Sequence, residues 1–250
     1  MTIFYFTATG NSLAVAKSIG GTFVSIPQVI DSGNMHFKDD VIGLVFPIYW
    51  WNLPIMVRRF IEKAVFEAEY LFAIGTYGNV GGAAMASLQK QAKMKGYSFD
   101  YMNQVRMLDN YLPVFSMSAQ EKGLPKKRVP EQIAKVVEDI EGRKQKTVGA
   151  HFGKRAMTCL FRRIFRPEKN ALKYRIDEKC NKCRVCAQVC PAMNISVSDK
   201  VSFSNHCEGC LACLHLCPQN TLHTKREKSD MRWIHPDVSL KEIIAANNRV

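Results

Sequence analysis

Apolar residues in the first half of the chain fall into two kinds of run. Val41 to Phe46 and Tyr70 to Ile74 are continuous apolar stretches, the pattern of strands buried on both faces of a parallel sheet. Thr2 to Phe6, Thr22 to Ile26 and Tyr97 to Val105 are β-branched and aromatic runs that read as three further strands. Between and after them, Leu13 to Ile19, Pro54 to Ala64, Ala83 to Lys95 and Pro130 to Lys146 read as helices. In the last of these, Ile133, Val136, Val137 and Ile140 share one face. Strand and helix alternate throughout, so the expected class is α/β with a five-stranded parallel sheet.

The second half has a different rhythm. Met157, Leu160, Phe161, Ile164 and Phe165 recur at helical spacing, with Arg155, Arg162, Arg163 and Arg166 on the opposite arc, which predicts a basic amphipathic helix. Ile195, Val197, Val201 and Phe203 alternate around Ser198-Asp199-Lys200, a short hairpin. Near the end, Ser239 and Glu242 form a capping pair ahead of a helix from Leu240 to Asn247, whose expected role is packing.

Charge changes the picture of that middle region. Of the net +13, residues 122 to 175 supply most, with 16 Lys or Arg against 5 Asp or Glu, whereas residues 1 to 121 carry 9 against 9. Such an excess attracts anionic partners. The favoured reading sets the apolar stripe against a neighbouring domain and leaves the arginines as a docking face for an acidic redox protein. Peripheral contact with an anionic membrane is the less favoured alternative. Nucleic acid is disfavoured, because the aromatics sit on the apolar stripe rather than among the charges. With no apolar run near 18 residues and no basic leader at Met1 to Phe6, a cytoplasmic protein is expected.

Eight of nine cysteines form two blocks, Cys180, Cys183, Cys186, Cys190 with Pro191, and Cys207, Cys210, Cys213, Cys217 with Pro218. Each reads C-x-x-C-x-x-C-x-x-x-C-P, the spacing of a two-cluster [4Fe-4S] protein in which the fourth cysteine serves the other cluster. The crossing rule assigns Cys180, Cys183, Cys186 and Cys217 to one cluster and Cys207, Cys210, Cys213 and Cys190 to the second. A disulfide framework or a zinc site fits this tight triple spacing poorly. Lys182 and Arg184 lie inside the first block, where positive charge favours the reduced form, so the first cluster is expected to be the more oxidising. Cys159 has no ligand set around it and reads as an ordinary residue of the basic helix, with a redox-sensing thiol as the lesser alternative.

Three loops follow predicted strands. Thr7-Ala8-Thr9-Gly10-Asn11-Ser12 joins the first strand to the first helix and offers backbone N–H groups and hydroxyls to a phosphate. An ordinary turn capped by Thr9 or Asn11 is the plainer reading. Pro47-Ile48-Tyr49-Trp50-Trp51-Asn52 follows the third strand, and Gly75-Thr76-Tyr77-Gly78-Asn79-Val80-Gly81-Gly82 follows the fourth. For Tyr49, Trp50 and Trp51, hydrophobic packing is an equal alternative to ligand contact. Ligands of open α/β sheets bind at this carboxyl edge.

The T-x-T-G-N-S loop resembles the FMN-phosphate loop of flavodoxins, and with the M-x-D-N-Y segment at Met107 to Tyr111 the chain is similar to flavodoxin-ferredoxin fusion proteins. That resemblance implies a flavodoxin-like sheet of order 2-1-3-4-5 over residues 1–148, a basic linker over 149–173, a two-cluster ferredoxin domain over 174–226 and a tail over 227–250. It implies FMN, held by Thr7, Ala8, Thr9, Gly10, Asn11 and Ser12 at the phosphate. Pro47, Ile48, Tyr49, Trp50, Thr76, Tyr77, Gly78, Asn79, Gly81 and Gly82 would lie around the ring. Flavin and clusters in one chain point to an electron carrier. A reductase of a small acceptor such as a quinone or nitro compound is the alternative, disfavoured because no general acid or base is evident near these loops. A basic binding module with a structural cluster domain is the third reading.

Overall fold

A computed structural model describes residues 1–249, with the Arg162 side chain outside the described residues. The first half runs through β1 (Thr2–Tyr5), α1 (Asn11–Ile19), β2 (Thr22–Ser25), α2 (Ile26–Val29), β3 (His36–Lys38), β4 (Val41–Pro47) and α3 (Ile55–Lys63). It continues through β5 (Val65–Glu67), β6 (Tyr70–Tyr77), α4 (Ala84–Met94), β7 (Tyr101–Arg106), α5 (Met117–Gly123) and α6 (Val129–Glu141). Five strands make one parallel sheet in the order β2-β1-β4-β6-β7, which is 2-1-3-4-5 when only sheet strands are counted.

Side-chain alternation divides the core in two. Ile3, Tyr5, Val45, Phe72 and Ile74 face α1 and α6, while Phe4, Phe6, Leu44, Phe46 and Ala73 face α3 and α4. The continuous runs of β4 and β6 are thus buried on both sides, as their composition requires.

Three details differ from the sequence pattern, each because a distant partner takes the backbone. The seventh strand begins at Tyr101 rather than Tyr97, since the Gln89 side chain bonds both the N–H and the carbonyl of Phe99. Helix α6 stops at Glu141 instead of reaching Lys146, and the chain returns to bridge the open edge of β7, Lys146 N–H donating to Asp100 and its carbonyl accepting from Met102. Strands β3 and β5, three residues each, pair in a separate parallel ribbon. They are too short to show a period.

The second half contains α7 (Phe152–Ile164), β8 (Arg175–Ile176), α8 (Val185–Gln188), β9 (Ile195–Val197), β10 (Val201–Phe203), α9 (Ala212–His215), β11 (Leu222–His223) and α10 (Leu240–Asn247). The hairpin β9–β10 and the capping box of α10 occur where the sequence placed them. The antiparallel pair β8–β11, which closes the cysteine-bearing segment on itself, was not foreseen.

The two cysteine blocks adopt the same backbone. Positive φ recurs at matched positions: Lys182 and Gly209 (57° and 68°), Arg184 and Leu211 (66° and 59°), Met193 and Asn220 (both 50°). The fourth cysteine of each block also accepts an N–H four residues on, Asn194 to Cys190 Sγ and Thr221 to Cys217 Sγ. A side chain with φ near +60° is uncommon outside glycine, and five of these six residues are not glycine, so the three matched pairs mark one loop conformation built twice. Among the described residues no helix is long and apolar enough to cross a membrane.

Candidate functional site

The loop after β1 is held from both sides. Gly10 has φ +104° and begins α1, and Thr7, Thr9 and Ser12 are all buried. Gly10 N–H donates to Thr7 Oγ1, Asn110 Nδ2 donates to Thr9 Oγ1, and Ser12 Oγ shares a hydrogen with Thr76 Oγ1 at 2.9 Å. Both threonine oxygens accept in these bonds, which leaves their O–H hydrogens to donate. No side chain caps α1, so the plainer reading of Thr9 or Asn11 as the cap does not hold. Gly10 itself stands at the cap position.

The carboxyl-terminal tail straps this loop down. His235 N–H donates to the Thr9 carbonyl at 2.8 Å, and a Cβ on Gly10 would stand 2.8 Å from His235 Cβ. The fully buried Asn247 donates through Nδ2 to the carbonyls of Thr7 (3.1 Å) and Val189 (3.2 Å), the latter in the cysteine-bearing segment. One amide therefore joins the sheet domain to the second half. Asn247→Ala would leave two buried carbonyls without a donor and is expected to lower stability by about 1–3 kcal/mol, measured by urea unfolding.

Beside the loop lies a cavity of about 350 Å³, in the size range of small-molecule and cofactor sites. Asn11, Pro47, Ile48, Tyr49, Trp50, Thr76, Tyr77, Gly78 and Asn79 line it, bringing three sequence-distant loops together. Thr7, Ala8, Thr9, Gly10 and Ser12 do not line the cavity. Gly81 and Gly82 do not line it either: a Cβ on Gly81 would meet the Gln104 side chain at 2.6 Å and one on Gly82 would meet Trp51 at 2.3 Å, so both serve packing of the loop.

The aromatic loop is built under backbone strain. Tyr49 and Asn52 exchange backbone hydrogen bonds of 3.0 and 2.8 Å around Trp50 and Trp51, which have φ of 52° and 65°. Two consecutive left-handed tryptophans are costly and persist where the surroundings fix them. Here Phe165 stacks on Trp50 at 3.4 Å between ring centroids, Tyr111 meets Trp50 edge-on at 4.2 Å, and Phe161 packs on Trp51 at 4.6 Å. Both phenylalanines come from the basic helix region. Trp50 thus packs on Phe165 and Tyr111, and both it and Tyr49 line the cavity.

Two further stretches wall the cavity. Leu108, Asp109, Asn110 and Tyr111, after β7, form one. Asp109 is packed so closely that a Cβ on Gly78 would lie 2.2 Å from its Cβ, and desolvation raises its carboxyl above the usual carboxylate range, partly offset by the Tyr111 N–H and by Lys127. The reading that no acid or base stands near these loops is therefore corrected: Asp109 does, and the D-N-Y stretch was its signal. Gly209, Cys210 and Leu211 of the second cysteine block form the other wall. Burial raises the Tyr49 hydroxyl well above its ordinary value, and Cys210 and Glu208 are its titratable neighbours. Glu208 in turn accepts from the N–H of Met56 at 2.9 Å at the start of α3, and burial lifts its carboxyl to about 7.

The eight cysteines gather in two groups. Burial pushes the Cys186 thiol up to about 11, and its thiol neighbours are Cys217, Cys180 and Cys183. Cys213 is likewise raised by burial, with Cys210, Cys190 and Cys207 as its foremost neighbours. Cys190 of the first block thus stands near Cys207, Cys210 and Cys213, and Cys217 of the second block near Cys186. Cys183 is exposed, while Cys207 and Cys213 are buried beside the cavity wall. Among the described residues no group of three or more His, Cys, Asp or Glu side chains is placed to hold a metal ion. Cys159 is exposed.

Helix α7 departs from the expected burial. Thr158, Phe161 and Phe165 face the sheet domain, Thr158 Oγ1 accepting from Ala83 N–H at 3.0 Å, but Met157, Leu160 and Ile164 of the same predicted stripe are exposed. The stripe is broader than the groove that receives it. Arg155, Arg163 and Arg166 are exposed, as expected; the Arg162 side chain lies outside the described residues.

No family model and no curated protein matches the chain. Solved structures match about half of it. A Bacteroides uniformis protein described as a flavoprotein is 18% identical over 48% of this chain and 95% of its own, with a TM-score of 0.33. The Trp repressor binding protein of Bacillus subtilis is 11% identical over 42% and 83%, with a TM-score of 0.31. Two-electron reduced Megasphaera elsdenii flavodoxin is 20% identical over 44% and 88%, with a TM-score of 0.31.

Proposed function

We propose that the chain is an electron-transfer protein that holds FMN in its sheet domain and two [4Fe-4S] clusters in a ferredoxin-like domain. One observation carries this reading: Cys210, a ligand of the second cysteine set, forms a wall of the same cavity as Tyr49, Trp50, Thr76 and Tyr77. When bound, FMN supplies electron exchange singly or in pairs and each cubane exchange of one electron.

The chain's residues divide the work. Thr7, Thr9, Gly10, Asn11 and Ser12 at the start of α1 hold the phosphate, and Tyr49, Trp50 and residues 76–79 enclose the ring. The four cysteines nearest the cavity, Cys190, Cys207, Cys210 and Cys213, hold the cluster adjoining the flavin, and Leu211 and Leu214 keep water from it. Cys180, Cys183, Cys186 and Cys217 hold the outer cluster. Its exposed edge at Cys183, flanked by Lys179, Lys182 and Arg184, is the docking point for an acidic partner protein in a reducing compartment.

Asp109 favours a second reading, reduction of a small acceptor at the flavin, because a carboxyl raised by burial can deliver a proton within the cavity. Steady acceptor turnover by the dithionite-reduced protein, lost in Asp109→Asn with FMN retained, distinguishes the reductase from the carrier.

Anaerobically purified protein should contain about eight iron, about eight sulfide and about one FMN per chain. Four irons, or no flavin, overturns the proposal. In redox titration Arg184→Gly is expected to lower the potential of the outer cluster and leave the inner one in place, because only the outer set adjoins that guanidinium.

A further inference from the structure

We propose that the outward side of α7 docks this protein on an anionic lipid surface. The helix carries two apolar sides. Thr158, Phe161 and Phe165 are spent on the sheet domain, whereas Met157, Leu160 and Ile164, at i, i+3 and i+7, face outward in a row. Phe152, at the helix start, is exposed as well. Exposure reaches 85% at Phe152, 65% at Ile164 and 51% at Leu160. Large apolar side chains clustered in this way mark an interaction surface, unlike the isolated ones found on any protein.

Charge selects the partner. From residue 142 to 167 the chain has eight Lys or Arg and no Asp or Glu. Arg155, Arg163 and Arg166 are exposed and flank the apolar row, and among the described residues no salt bridge engages them. An interfacial helix of high amphipathicity, with Phe and Leu on one side and Arg and Lys on the other, is suited to sink its apolar row into the acyl boundary while its cations meet lipid phosphates. A helix of 13 residues lays about 20 Å of this row along the surface.

The back of the docking helix is part of the cavity. Phe161 lines it and packs on Trp51, so the surface proposed here lies directly outside the aromatic loop. The inference goes beyond the electron-transfer reading and does not depend on it, because its test reads lipid partition and not redox chemistry.

Full-length protein would be floated with vesicles of phosphatidylcholine alone and of phosphatidylcholine with phosphatidylglycerol. Binding is expected only to the second, weakening as salt is raised. Leu160→Ser with Ile164→Ser should reduce partition by roughly tenfold or more, and Arg163→Glu by roughly fivefold or more, each with the cofactor absorbance of the wild type. These sites are exposed, so folding is expected to survive. Absence of binding to the anionic vesicles, or equal partition of the double variant, overturns the proposal. So does sedimentation as a dimer that the same two serines abolish, since a second copy would then cover the row.

Discussion

Cys190→Ala is expected to empty the same four-iron site as Cys213→Ala, although Cys190 belongs to the first block and Cys213 to the second. Cys217→Ala should in turn match Cys183→Ala. Each variant should retain about four of about eight irons, and electron paramagnetic resonance of the reduced proteins should sort the four variants into two identical pairs. The physical basis is the grouping of the thiols: Cys190 neighbours Cys207, Cys210 and Cys213, while Cys217 neighbours Cys186. A linear assignment, each block holding its own cluster, would pair Cys190→Ala with Cys183→Ala instead. The inner-cluster variants should also be the less stable, because metal-binding energy is folding energy where the site is part of the core, and Cys207 and Cys213 are buried where Cys183 is not.

Flavin binding should fail most sharply at Gly10. Alanine there must adopt φ near +104°, and its Cβ would stand 2.8 Å from His235 Cβ and 3.0 Å from that of Val238. The left-handed backbone costs about 1–2 kcal/mol and the crowding about 1–3 kcal/mol. Relief requires either the loop or the tail to move, and the loop's N–H groups then no longer converge. FMN affinity, read by fluorescence quenching, should fall by roughly tenfold or more, with iron content unchanged. Gly20→Ala is the control: its φ is +87° but nothing lies within 4 Å of an added Cβ, so it should lose stability without losing flavin. Equal flavin loss in both variants would assign the effect to backbone strain alone and remove the tail from the account.

The carboxyl-terminal helix shows how local and distant information differ. Its start is written in Ser239 and Glu242, which cap it through side chains three residues apart. Its importance lies in Asn247, whose two carbonyl partners are 240 and 58 residues away. Nothing near Asn247 indicates either partner. The same holds for Asp109, visible as part of a D-N-Y stretch but placed in the cavity only by the packing of its loop against Gly78.

What the sequence by itself determined is what repeats over short distances. Continuous apolar runs specify strands buried on both faces, helical spacing specifies α1, α3, α4, α6 and α7, and the cysteine interval with its proline specifies two equivalent loops. Only the tertiary structure decided which surfaces meet. Cys210 became a wall of the cavity, the stripe of the basic helix packed only Phe161 and Phe165 and left Met157, Leu160 and Ile164 exposed, and the tail closed over Gly10. The reason is physical: periodicity records which side of an element avoids water, and that side is satisfied equally by any apolar surface of matching shape. The partner is chosen by the packing of the whole chain.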